Sequence, residues 1–183
     1  MANVFKSGKM ASNQLDVSLA NGIAAVAVPD GALVVLGDLV ADTTYAVNGN
    51  TGYGTEYDTY EAAAPAAVTD EVVIVDYAGI SEGDINGNTY KMGNKLYNLT
   101  VPAGGIFRVR RLALHDKFWI ADGNFASAPT VGKYASATAS AFTHTPAASL
   151  PGSGYAVKIL ASEDLTAGMK TQGTLYLCEV VQL

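Results

Sequence analysis

Short β-prone runs, each closed by a glycine, asparagine or proline turn, set the tightest limit on what this 183-residue chain can fold into. Ala32 to Leu36 follows the turn tetrapeptide Val28-Pro29-Asp30-Gly31 and ends at Gly37-Asp38. Proline presets its own φ there and glycine accepts a positive one. Thr43 to Val47 runs into Asn48-Gly49, a strong hairpin signal, and Asn86-Gly87 and Asp122-Gly123 repeat that chemistry. Val72-Val73-Ile74-Val75-Asp76-Tyr77 is a continuous apolar run of strand length, as expected of a central strand covered on both faces. Leu96 to Val101 and Ile106 to Leu114 are further strand candidates, the second alternating in part. His115-Asp116 is read as a turn that returns the chain along Lys117 to Ala121. Tyr155 to Leu160 and Thr174 to Val181 are read as closing strands, with a turn near Ser162-Glu163-Asp164. A long segment with helical period is absent from the sequence. The expected fold is therefore all-β, a single β-sandwich or barrel-like domain with an extended N-terminal arm and long loops.

The expected organisation is an arm over residues 1–22 and a β-rich domain over 23–183. Within that domain, 126–154 is rich in Ala, Ser, Thr and Pro, with no Asp, Glu, Lys or Arg between Lys133 and Lys158. We read it as an ordered extended segment with Tyr134, Phe142 and Leu150 as anchors. Phe5 in the arm, with Tyr134 and Phe142, makes the set of expected interface residues.

Catalytic signals are sparse. His115 sits beside Asp116, and His144 lies in Thr143-His144-Thr145-Pro146. Neither has a sequence context that supplies a nucleophile, and the Gly-x-Ser-x-Gly elbow is missing. Two histidines and the single Cys178 do not make a zinc set without converging carboxylates. Asp84-Ile85-Asn86-Gly87-Asn88 opens like a calcium loop, but its glycine is misplaced and Lys95 stands where the bidentate Glu belongs. It reads as an Asx-rich turn. Asp70-Glu71 and Glu163-Asp164 are adjacent pairs, which a strand would send to opposite faces. The expectation is no enzyme activity, no catalytic residues, no cofactor and no metal.

Charge narrows the partners. The net charge is −6 and the pI about 4.7, which argues against nucleic acid as a ligand. Arg108, Arg110 and Arg111 form the one basic cluster, read as a solvated strand face or as intersubunit ion pairs. Charged residues are 15% of the chain, against about 25% in ordinary soluble domains, so the surface depends on Ser, Thr, Asn and Ala. Such a surface suits packed assemblies. Ten tyrosines supply contact area with a hydroxyl at small entropic cost. Met1 to Lys6 has no signal-peptide pattern and no apolar run reaches membrane-spanning length, so folding in a cytoplasm, without a membrane, is expected. Cys178, within Leu175 to Val181, is read as a small buried hydrophobe.

Several stretches resemble head decoration (capsid cement) proteins of tailed bacteriophages: Met1-Ala2-Asn3-Val4-Phe5-Lys6-Ser7-Gly8, Pro29 through Asp38, and Val101-Pro102-Ala103-Gly104-Gly105-Ile106 through Asp116-Lys117-Phe118-Trp119-Ile120. The resemblance is one of style over most of the chain and carries no functional residue with it. It implies a β-rich protein on the capsid surface of a virion, made in the host cytoplasm. It also implies binding to the major capsid protein as a homo-oligomer, with a trimer expected, and reinforcement of contacts between capsid subunits. The alternative is a carbohydrate-binding or adhesin-like β module of a head fibre or tail, stacking sugars on Tyr53, Tyr57, Tyr60 and Trp119. A carboxylate-dependent glycan hydrolase is the enzymatic alternative.

Overall fold

The computed structural model describes residues 3–11, 19–40, 59–77, 99–167 and 170–183. The chain is all-β. Its strands are β1 (Phe5–Ser7), β2 (Leu19–Ile23), β3 (Val28–Pro29), β4 (Leu33–Leu39), β5 (Thr59–Ala63), β6 (Val73–Val75), β7 (Thr100–Val101), β8 (Ile106–Arg111), β9 (Lys117–Ala121), β10 (Tyr134–Ala137), β11 (His144–Ala147), β12 (Ala156–Ala167) and β13 (Lys170–Gln182). The runs around Asn48-Gly49, Tyr53, Tyr57 and Asp84 to Asn88 lie outside the described residues.

Five strands close into a barrel in the order β2-β5-β4-β6-β8, with β8 returning to β2. The β2–β5 pair is parallel, Asn21 facing Thr59 and Ile23 facing Glu61, and the other barrel pairs are antiparallel. A barrel of so few strands has a narrow interior that side chains must fill. This explains the use of Ala and Val: Ala20, Ala32, Val34, Ala62, Val73, Val75 and Val109 fill it around one large ring, Phe107. Gly22 makes room for that ring, since a Cβ there would lie 2.8 Å from Phe107 Cε2.

The other strands form an antiparallel six-stranded sheet in the order β1-β9-β13-β12-β10-β11. Its inner face sets Phe118, Ile120, Val157, Ile159, Cys178 and Val180 in one core with Leu33 of β4 and Ile74 of β6. Strands β4 and β6 therefore bury both faces: Val34, Val73 and Val75 point into the barrel, while Leu33 and Ile74 meet the sheet. Burial on both sides is what the unbroken apolar run at 72–75 encodes.

Four local readings are corrected. Lys117 to Ala121 does not return along β8; at His115, with φ of 69°, the chain leaves the barrel and enters the sheet. Asp122-Gly123 forms a short 3-10 turn through Asn124 and not a hairpin turn. Ser162-Glu163-Asp164 continues β12. The N-terminal arm, expected over 1–22, is in its described parts a piece of the body: β1 pairs with β9, and β2 opens the barrel at Leu19. The segment 126–154 is extended, and it forms the antiparallel pair β10–β11 at one side of the sheet. Gly31, with φ of 76°, completes the turn before β4.

Candidate interaction surface

Strands β12 and β13 are much longer than their neighbours. Twelve extended residues span about 40 Å. Near its base the hairpin is built into the sheet: β10 pairs with Ala156–Lys158, Lys133 and Gly132 exchange backbone bonds with Ile159, and β9 pairs with Leu175–Glu179. Past Ala161 on β12, and before Leu175 on β13, the two strands pair only with each other among the described residues. Their register runs from Ser162–Tyr176 to Ala167–Lys170, with shifts at Ile159/Ala161 and Leu165/Thr166. The outcome is a two-stranded ribbon with backbone N–H and C=O groups along two edges. Ser162, Glu163 and Asp164 on it are exposed. An isolated two-stranded ribbon is marginal in water, and an open edge is a template for a further strand.

Where the ribbon meets the body, the outer face of the sheet carries a small apolar cluster. Ala121 and Leu175 are buried beneath Val4, Trp119 and Leu165. Trp119 faces Leu177 across β9 and β13. Alternation along β9 puts Phe118 and Ile120 inward and Trp119 and Ala121 outward. At the far end of this face, Lys117 Nζ lies 3.9 Å from Glu179 Oε2.

The sequence-derived interface residues do not gather on one surface. Phe5 is only 6% exposed, with its ring 5.8 Å from that of Phe118 inside the core, so it cannot serve as a free arm anchor. Phe142 is half-buried against the barrel core, and its carbonyl accepts the Leu33 N–H. Tyr134 is half-buried on β10, between Ala147 and Lys158. The ribbon was missed in the sequence because Ser162-Glu163-Asp164 has turn composition; the β-prone residues on either side, Ile159 and Thr174 to Leu177, were the available signal.

Within the basic cluster Arg110 is buried, Arg108 half-buried and Arg111 exposed. Arg108 Nη2 and Arg110 Nε both donate to Asp76 Oδ2 at 2.6 Å, and Arg110 and Asp76 are buried. Paired charges of this kind are the form in which buried ions are tolerated. These two arginines thus make ion pairs within the chain, not between subunits. Arg111 lies 3.9 Å from the exposed Glu71. Asp70, Glu71 and Arg111 border two adjoining concavities of about 340 and 370 Å³. Asp70 Oδ2 is engaged by the Ala66 and Ala67 N–H groups.

The histidines are placed quite differently. His115 is exposed and lies 3.3 Å from Glu179 Oε1. His144 is fully buried, and burial lowers its pKa to about 4, so the ring is neutral. The Asn124 carbonyl, 3.2 Å away, can only accept, so Nδ1–H donates to it. Nε2 then accepts from the Tyr155 hydroxyl at 3.1 Å. Tyr155 is itself buried, which drives its pKa well above the ordinary value. The pair is a satisfied polar link inside the core. Among the described residues no group of three or more His, Cys, Asp and Glu side chains could hold a metal ion. Of the stacking residues of the carbohydrate reading, Trp119 is in the outer cluster and Tyr60 packs on the barrel core, while Tyr53 and Tyr57 lie outside the described residues.

No family model, curated protein or solved structure matches this chain. No helix among the described residues is long and apolar enough to cross a membrane.

Proposed function

We propose that this chain is a structural virion protein that binds the outside of a phage capsid and stabilises contacts between major capsid subunits, acting as a homo-oligomer. The observation that carries the proposal is the β12–β13 ribbon, which extends past its neighbours and there, among the described residues, pairs only with itself. A ribbon of this kind acts by strand addition, in which main-chain hydrogen bonds supply affinity and alternate side chains supply selectivity. The barrel and sheet form the stiff body behind it. Repetition over a lattice turns weak single contacts into firm attachment. The low surface charge and the net charge of −6 fit an outer position away from packaged nucleic acid.

The deciding experiment is quantitative mass spectrometry of purified, DNA-filled particles from the source. A fixed ratio to the major capsid protein, at one per subunit or a simple fraction of it, is expected. A few copies per particle would redirect the proposal to a fibre or tail position, and absence would overturn it. A chain with Ser162 to Thr174 replaced by a short turn is expected to fold and to lose binding to shells. Undiminished binding would remove the ribbon from the mechanism.

A further inference from the structure

In an antiparallel ladder each residue turns its N–H and its C=O to the same side, and successive residues alternate. The Ala121 N–H donates to the Val4 carbonyl, and the Gly8 N–H donates to the Lys117 carbonyl. Lys6, midway between them, therefore bonds toward β9, and Phe5 and Ser7 turn their backbone groups away from it. One of these groups is taken by Asp30. This residue is 1% exposed; its Oδ2 accepts the Phe5 N–H at 2.9 Å, and its Oδ1 accepts the Tyr77 N–H at 2.9 Å, just beyond β6. The Phe5 carbonyl and both groups of Ser7 face outward, and no strand among the described residues lies on that side of β1.

The same alternation carries across the sheet. Trp119 bonds to β1, so Phe118 and Ile120 bond to β13. On β13, Leu175 and Leu177 then bond to β12, at Glu163 and Ala161. Ser162 and Asp164 are left facing away from β13, on the stretch of β12 beyond β10. The edge at β11 is blunted by contrast: Pro146 has no N–H, and the His144 carbonyl accepts the Ala126 N–H. The β12 edge is guarded by charge alone. Glu163 and Asp164 are both exposed and, as neighbours on a strand, put one carboxylate on each face, which opposes pairing with a second β12.

We propose that the β12 edge of one copy of this chain adds to the β1 edge of the next, joining copies head to tail. The proposal rests on the homo-oligomer of the reading above and not on its capsid. Every pair in the sheet is antiparallel, so β12 and β1 run in opposite directions. A second copy in the same orientation thus brings its β12 antiparallel to β1 of the first. The outward groups set the register: Ser162 exchanges bonds with Ser7, and the Asp164 N–H donates to the Phe5 carbonyl. That register places Glu163 directly opposite Lys6, in the non-hydrogen-bonded position where side chains come closest. The faces agree as well. Glu163 lies on the face of its partner Leu175, Lys6 on the face of its partner Trp119, and both partners belong to the outer apolar cluster. Opposite charges at such a position attract. There is room for the added strand among the described residues, because β10 stops at Lys158 and its last bonds go to Ile159. The two edges differ, so the contact is heterologous, and it closes into a ring where the rotation between copies permits.

The test is analytical ultracentrifugation of the purified full chain over the micromolar to millimolar range. Concentration-dependent association that weakens with added salt is expected. Glu163→Lys should weaken it by about tenfold, although it reduces the net negative charge, because an attractive cross-strand pair becomes a repulsive one. Lys6→Glu should do the same, and the two together should restore the wild-type affinity. A wild type that stays monomeric throughout, association unmoved by Glu163→Lys, or a double exchange as weak as the single variants would each overturn the proposal. If Lys6→Glu fails to fold, the oxidised double variant Lys6→Cys, Glu163→Cys decides. Covalent oligomers on a denaturing gel support the contact, and monomer alone overturns it. Absence of the chain from particles, with association intact, would overturn the capsid role and leave this contact standing.

Discussion

Two buried groups in this protein pull its stability in opposite directions over the same pH range, and removing either should expose the other. His144 has its pKa lowered by burial from 6.5 to about 4. Between those values the unfolded chain binds the extra proton, so this group makes stability rise with pH, by about 3 kcal/mol in all. Asp30 has its pKa raised by burial from 3.8 to about 7. Here the folded chain binds the extra proton, so stability falls as pH rises, by about 4 kcal/mol in all. The two slopes are each about 1.4 kcal/mol per pH unit and cancel from about pH 4 to 6.5. The perturbation is His144→Gln, which keeps a donor and an acceptor in the core but cannot titrate. The assay is urea unfolding at half-unit pH steps, followed by fluorescence of the single Trp119. The wild type should give a nearly flat profile over this range. His144→Gln should lose about 3 kcal/mol between pH 4.5 and 7, with an m-value that stays constant. Asp30→Asn should show the opposite slope. The size of any constant offset does not matter, because lost hydrogen bonds shift the whole curve. If His144→Gln and wild type have parallel profiles, the histidine is not held neutral by burial and the reasoning fails.

Other perturbations test the packing. Gly154 has φ of 75°, and a Cβ there would lie 2.2 Å from the Val68 carbonyl oxygen. Gly154→Ala should cost at least about 2 kcal/mol and lower the midpoint of thermal unfolding by about 5 °C or more. Phe118 is fully buried between Phe5 and the sheet core, so Phe118→Ala should cost about 3–5 kcal/mol in urea unfolding; a loss below about 1 kcal/mol would mean the inner face is not close-packed. Burial pushes the Cys178 thiol well above its ordinary pKa. It should stay unlabelled by iodoacetamide in the folded protein and react once urea unfolds it; rapid native labelling would contradict its burial.

Local chemistry was the part of this fold legible in the sequence. The apolar run at 72–75 announced a strand covered on both sides, and β6 lies between β4 and β8 with every residue buried. Val28-Pro29-Asp30-Gly31 announced a turn, and Gly31 has the positive φ that such a turn uses. Pairing was not legible. β1 and β9 are joined at Phe5–Ile120, and no local pattern specifies a partner over that distance. The parallel β2–β5 pair and the length of the β12–β13 ribbon are of the same kind. Asp30 was hidden for a different reason: turn chemistry accounts for an aspartate before a glycine so well that a second role leaves no mark. Phe5 misled because a lone aromatic in a polar terminal stretch looks the same whether it awaits a partner or fills its own core. The ion pairs of Arg108 and Arg110 depend on Asp76, which the sequence presents only as a member of the apolar run from Val72 to Tyr77.

The place of β9 between β1 and β13 constrains how the molecule can be made. A ribosome delivers Phe5 well before the β13 strand, yet one intervening strand binds them both. While the later part of the chain is still in the exit tunnel, β9 lacks one of its neighbours and Phe118 lacks much of its cover. The barrel, whose strands are all synthesised once Arg111 has emerged, can assemble on the ribosome, whereas the sheet must wait for β13 to emerge. Translation therefore builds this protein in two instalments, and the exposed inner face of β9 between them is the interval in which a chaperone would have something to hold.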